Sequence, residues 1–174
     1  DIAIKDGKII KIGKIDEEAK EEFEAKNLTI LPGCIDTQTH FREPGSTDTE
    51  DLHSGSRAAI VGGITSVFEM PNTNPPTSNK LEFQKKLDLA KKRMYCNYAF
   101  YFGATADNAD ELADLVNLEG CCGIKLFAAY STGNRLVENE EDIEKVFQSS
   151  SKVVAVHSED EEILNKNKKL IKNG

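Results

Sequence analysis

Four stretches of this sequence place ionisable or amide side chains where apolar runs end. In Asp36-Thr37-Gln38-Thr39-His40-Phe41-Arg42, an extended backbone turns every second residue the same way, so Gln38, His40 and Arg42 share one face. Two imidazoles at that spacing would chelate a metal, but the first position here is an amide. Taken alone, the segment reads more readily as a loop with a solitary histidine. Lys125 interrupts Gly123-Ile124-Lys125-Leu126-Phe127, an otherwise apolar strand. An ammonium buried there needs a partner or altered chemistry, and a neutralised or carbamylated amine is one solution; a lysine that snorkels from the strand end is the other. His157 closes the apolar run Val153 to Val156. Neutral imidazole at a strand C-terminus is a ready metal ligand, and capping of the next helix is the competing role. In Glu69-Met70-Pro71-Asn72-Thr73-Asn74-Pro75-Pro76-Thr77, three prolines fix a loop whose Asn amides present donors and acceptors to an amide or carboxylate ligand. Stiffening without a ligand explains that loop equally. His53, inside a helical pattern, reads as a surface residue, and Cys121-Cys122 as core packing.

The elements that position these residues repeat. Apolar runs of strand length at 28–36, 64–70, 95–104, 121–129 and 152–157 alternate with amphipathic stretches of helix length near 49–62, 78–94, 108–117, 138–148 and 161–173. Five strand-helix units in a row imply a parallel sheet with crossover helices. The polar residues gather directly after the strands, which suits a (β/α)8 barrel or a doubly wound sheet, while no Gly-x-Gly-x-x-Gly follows the first strand. Ahead of these units, Ile2 to Ile12 reads as two short strands about the Asp6-Gly7 turn, and residues 16–26 as a charged helix.

Composition removes several classes of function. With 39% hydrophobic residues the chain is too apolar for disorder, and no apolar run approaches a membrane span. A net charge of -8 argues against nucleic acid and anionic membranes, leaving a small molecule or another protein as partner. Cys34, Cys96, Cys121 and Cys122 form no Cys-x-x-Cys pair and no secretory signal opens the chain, so free thiols in a reducing cytoplasm are expected. The chain opens inside a strand without Met and holds five units where a closed barrel has eight, so a truncated chain is expected.

Taken together, Pro32-Gly33-Cys34-Ile35-Asp36, His40-Phe41-Arg42-Glu43-Pro44-Gly45, Glu69-Met70-Pro71-Asn72-Thr73, Gly123-Ile124-Lys125-Leu126-Phe127, Ser131-Thr132-Gly133-Asn134 and Val156-His157-Ser158-Glu159-Asp160 resemble the dihydroorotase family of the amidohydrolase superfamily, in family order. The resemblance implies an α/β fold: about five βα units of a (β/α)8 barrel over residues 28–174, with residues 1–27 belonging to a small β-rich composite domain. It implies two zinc ions bridged by a carboxylated lysine, with Lys125 as that catalytic lysine, His40 and His157 as further metal ligands, and Arg42 and Asn72 holding the substrate carboxylate. The expected reaction is reversible hydrolysis of L-dihydroorotate to N-carbamoyl-L-aspartate in pyrimidine synthesis, by a homo-oligomer or beside an aspartate transcarbamoylase partner.

The chain departs from the family pattern at Gln38, where the first histidine of the pair is expected. An amide oxygen is a poorer zinc ligand than imidazole, so one of the two metals is expected to bind weakly. The later ligands and the general acid/base would lie beyond Gly174, so this stretch alone is expected to be inactive. Two other readings stand beside the first: a non-catalytic dihydroorotase-like subunit, favoured by Gln38, and a related cyclic-amide hydrolase of allantoinase or hydantoinase type, disfavoured by Arg42.

Overall fold

A backbone with positive φ at both central residues closes a tight antiparallel turn, and Asp6 (φ 51°) with Gly7 (φ 72°) does so here. The turn joins β1 (Ile2–Lys5) to β2 (Lys8–Ile12), with the register shifting between Ala3 and Ile4. In this computed structural model, residues 1–129, 137 and 139–172 are described. The chain divides into two units, Asp1–Pro32 and Gly33–Gly174.

The helix expected over residues 16–26 does not form. A helix this short needs an apolar face to pack, and Phe23, its one large apolar residue, is 86% exposed. Acidic side chains instead take backbone donors: the Asp16 N–H donates to Glu17 (3.2 Å) and the Lys26 N–H to Glu24 (2.8 Å). The next strand also starts later than its apolar pattern indicates. Pro32 has no N–H to give, and pairing begins with the Cys34 N–H donating to the Gly63 carbonyl at 3.1 Å.

In the second unit each helix follows its strand and opens on a side-chain cap. After β3 (Cys34–Thr39), α1 (Leu52–Val61) begins at Asp51, which accepts from the Ser54 N–H at 2.7 Å in a capping box. After β4 (Ile64–Glu69), α2 (Lys80–Ala90) begins at Asn79, which accepts from the Glu82 N–H at 2.9 Å. β5 (Asn97–Gly103) leads to a 3₁₀ helix over Ala106–Asn117, tighter than the α-helix its sequence implies. β6 (Cys121–Phe127) precedes α3 (Glu140–Ser149), and β7 (Val154–His157) precedes α4 (Glu161–Lys172).

All five strands of this sheet are parallel and stand in chain order, β3-β4-β5-β6-β7. A doubly wound sheet would reverse its order partway; this one does not, and it is part of a (β/α)8 barrel. Strand alternation then sorts the side chains. Val67, Phe100, Phe102, Ile124 and Leu126 join Phe83, Leu112, Leu115 and Val146 of the helices in one core cluster. The intervening residues, among them Tyr101, Lys125, Phe127 and His157, belong to the opposite face. No described helix is long and apolar enough to cross a membrane.

Candidate active site

The residue after β3 is His40, and its Nδ1 lies 2.9 Å from Oδ1 of Asn72, in the loop after β4. An amide oxygen only accepts, so the imidazole donates from Nδ1 and its lone pair lies on Nε2. Burial holds the His40 pKa below the ordinary histidine value, and the positive charges of Arg42 and Lys125 push it further down. At neutral pH the ring is therefore uncharged, oriented through one nitrogen and able to ligate through the other.

Arg42 has a left-handed backbone (φ 61°), an uncommon conformation for a residue with a side chain. Its guanidinium is half-buried and has no hydrogen bond or ion pair among the described residues. The loop that carries it is braced on both sides. The Asn74 N–H donates to the Pro44 carbonyl at 2.9 Å, and Gly45, with φ 120°, lies so close that a Cβ would sit 2.8 Å from the Cβ of Asn74. Glu43 accepts from Arg93 through both oxygens, at 2.6 and 3.1 Å, and from the Leu52 N–H at 2.9 Å.

Lys125 is 4% exposed in the middle of β6. Burial alone lowers its pKa, and no carboxylate or hydrogen-bond acceptor meets its amine among the described residues. Its Nζ stands 5.1 Å from the centre of the Phe127 ring. Phe127 pairs across to His157 on β7, with ring centres 6.1 Å apart, so one aromatic side chain touches both candidate ligands. The His157 Nε2 meets the Glu159 carboxylate at 2.5 Å, and the ring is half-exposed.

The structure thus groups His40, Arg42, Asn72 and Lys125 by hydrogen bond and electrostatic reach, and connects Lys125 to His157 through Phe127. Among the described residues no side-chain hydrogen bond or ion pair connects Gln38 to them: it is exposed, and its N–H donates to Asp36 at 2.9 Å. No group of three His, Cys, Asp or Glu side chains able to hold a metal occurs among the described residues. A neutral His40 and a Lys125 amine with no counter-charge among the described residues are donors that fit a metal. The Ser131-Thr132-Gly133-Asn134 motif lies outside the described residues. His53 is exposed, its ring edge-on to Tyr95 at 5.2 Å, and burial pushes the Cys122 thiol up to about 12.

Sequence reasoning passed over two ion pairs beneath this surface. Glu69, the last residue of β4, is paired with Lys86 of α2, and both are fully buried. The signal was present: Phe83, Lys86 and Ala90 recur at the spacing of one helix face, and that face is apolar except for the lysine. Glu43 and Arg93, 50 residues apart, left no such pattern.

A model of the amidohydrolase family matches residues 29–171. The chain is 38% identical to a dihydroorotase from Methanosarcina mazei over 94% of its own length and 36% of that protein's. It is 39% identical to an allantoinase from Escherichia coli over 80% of its own length and 31% of that protein's. Among solved structures, the L-hydantoinase (dihydropyrimidinase) from Arthrobacter aurescens matches with a TM-score of 0.88 at 29% identity, covering 99% of this chain and 40% of that one. The chain spans about a third of the length of the curated relatives it matches.

Proposed function

The chain belongs to the amidohydrolase family, and from that membership we propose that the protein carrying it is a zinc-dependent dihydroorotase. In this reading, residues 28–174 supply the N-terminal part of the barrel, residues 1–27 part of a small β-rich domain, and the substrate is L-dihydroorotate or N-carbamoyl-L-aspartate. The observation that carries it is an Arg42 guanidinium with no ion pair among the described residues, beside a neutral His40 and a buried Lys125 that likewise has no counter-charge among the described residues. Dihydroorotate has a free carboxylate, and a planar guanidinium fork is the group suited to hold it bidentately.

His40 and His157 would hold zinc through ring nitrogens, Lys125 through its carboxylated amine, and Gln38 through a weaker amide oxygen. Zinc bound there would polarise the ring carbonyl and lower the pKa of water to supply the nucleophile. The chain's own residues prepare that chemistry. Burial favours the uncharged Lys125 amine, the form whose lone pair can add to carbon dioxide with loss of a proton. Asn72 orients the His40 ring through its carbonyl oxygen and stands beside Arg42's loop as the second residue for the substrate carboxylate. Arg42 fixes the substrate and, by its charge, keeps His40 from taking a proton.

Two alternatives have specific support. The allantoinase and hydantoinase relatives favour another cyclic-amide hydrolase, and the amide at Gln38 favours a non-catalytic subunit that assists an aspartate transcarbamoylase. Assay of the full-length protein with L-dihydroorotate, allantoin and hydantoin, alongside its zinc content, separates them. Turnover of dihydroorotate with bound zinc is expected. Turnover of allantoin or hydantoin alone would replace the substrate, and a folded, metal-free, inactive protein would establish the subunit reading.

A further inference from the structure

The Glu69–Lys86 pair has no part in the chemistry above, yet it lies directly under the residues that do. Withdrawing both charges from water is costly, and an apolar pair of similar volume would commonly be as stable, so stability alone does not account for it. What the charges do, and methyl groups cannot, is bond to backbone in fixed directions. The Phe41 N–H donates to Glu69 Oε1 at 3.3 Å, and Lys86 Nζ donates to the Met70 carbonyl at 2.9 Å. Phe41 is the residue between His40 and Arg42. Met70 stands two residues before Asn72, and its own N–H donates to the Thr39 carbonyl at 2.9 Å. One buried ion pair therefore joins the loop after β3, the loop after β4 and helix α2.

We propose that Glu69 and Lys86 are positioning residues that set the His40–Arg42 loop against the Asn72 loop, holding the His40 imidazole and the Arg42 guanidinium in their working directions. Neither touches substrate. The left-handed backbone of Arg42 makes such a brace necessary, because that conformation persists only where the surroundings impose it. The proposal rests on the reading of this site as one that binds zinc and a substrate carboxylate.

The test is the double variant Glu69→Leu with Lys86→Met in the zinc-loaded full-length protein, which leaves no unbalanced charge but removes the acceptor of the Phe41 N–H and the donor to the Met70 carbonyl. Two readouts are taken: KM and kcat for L-dihydroorotate, and solvent exchange of the His40 Nδ1 proton by NMR. The expected result is a protein that still folds, with a lower unfolding midpoint, a KM raised about tenfold and a His40 Nδ1 proton that exchanges with water. Parental KM and a parental, protected Nδ1 proton in a folded double variant would overturn the proposal. If the double variant does not fold, Glu69→Gln decides: its amide keeps the Phe41 acceptor but cannot balance Lys86, so a several-fold rise in KM supports the brace and an unchanged KM and proton sink it. A parent that turns over no dihydroorotate refutes the functional reading alone, since the His40 proton still reports on the brace.

Discussion

The two sides of the candidate site are held in different ways. At the ends of β3 and β4 every element is bonded to another: His40 to Asn72, Glu43 to Arg93 and to the start of α1, Glu69 to Lys86 and to the Phe41 backbone. At the ends of β6 and β7, Lys125 has an aromatic ring for company and His157 a neighbouring carboxylate two residues away. The first side is tied across elements by protein contacts, while on the second, among the described residues, Lys125 meets an aromatic ring of its own strand and His157 a carboxylate of its own loop. In the proposed reading the first side orients the substrate and aims His40, and the second supplies the lysine and His157 as further donors.

The largest expected effect breaks the second side. Lys125→Met should remove zinc and lower turnover by about a thousand-fold, the equivalent of several kcal/mol of metal-supplied stabilisation. Because the amine of the metal-free protein is buried with no carboxylate or hydrogen-bond acceptor among the described residues, the unfolding midpoint measured without zinc should hold or rise, and a fall there would erase the contrast. Lys86→Met on the first side should do the opposite, costing about 3–5 kcal/mol by leaving the Glu69 carboxyl buried alone, as read by denaturant unfolding.

Glu69 also gives the first side a dependence on pH. Burial raises its pKa from 4.5 to about 7 against the opposing pull of Lys86, so between those values the folded carboxyl keeps a proton that the unfolded one has lost. Its contribution to stability is full below 4.5 and declines as pH rises towards about 7. Unfolding of the parent and of Glu69→Gln measured across that window should show this slope in the parent only.

Smaller changes sharpen the comparison. Arg42→Lys keeps the charge but loses the fork, and should lower kcat/KM for dihydroorotate about 10–100-fold, the size of a charge-assisted hydrogen bond. Zinc content should be unchanged, and loss of zinc would move Arg42 from substrate to metal. Gln38→His should raise zinc occupancy several-fold at limiting metal, measured by elemental analysis, and no change there would remove Gln38 from the site.

Much of this is legible in the sequence. Alternating apolar and amphipathic runs specify the βα units, and chemistry at strand ends picks out His40, Asn72, Lys125 and His157 because a polar residue in an apolar run stands out locally. What stayed hidden is non-local. The Glu43–Arg93 bond joins residues whose neighbours carry no shared pattern, and the His40–Asn72 hydrogen bond depends on two loops meeting. Residues 16–26 failed in the other direction, since charge and helix propensity do not hold a helix without a face to bury.

The order of the strands bears on how the chain reaches this state. After β3, each strand of the five pairs with the one made just before it. The sheet needs no early segment to wait for a distant one, and contacts of short sequence separation close with less loop entropy and form faster. A ribosome releasing this sequence would deliver β3, then α1 and β4 to cover it, then the next unit, so that the sheet can be zipped in the direction of synthesis.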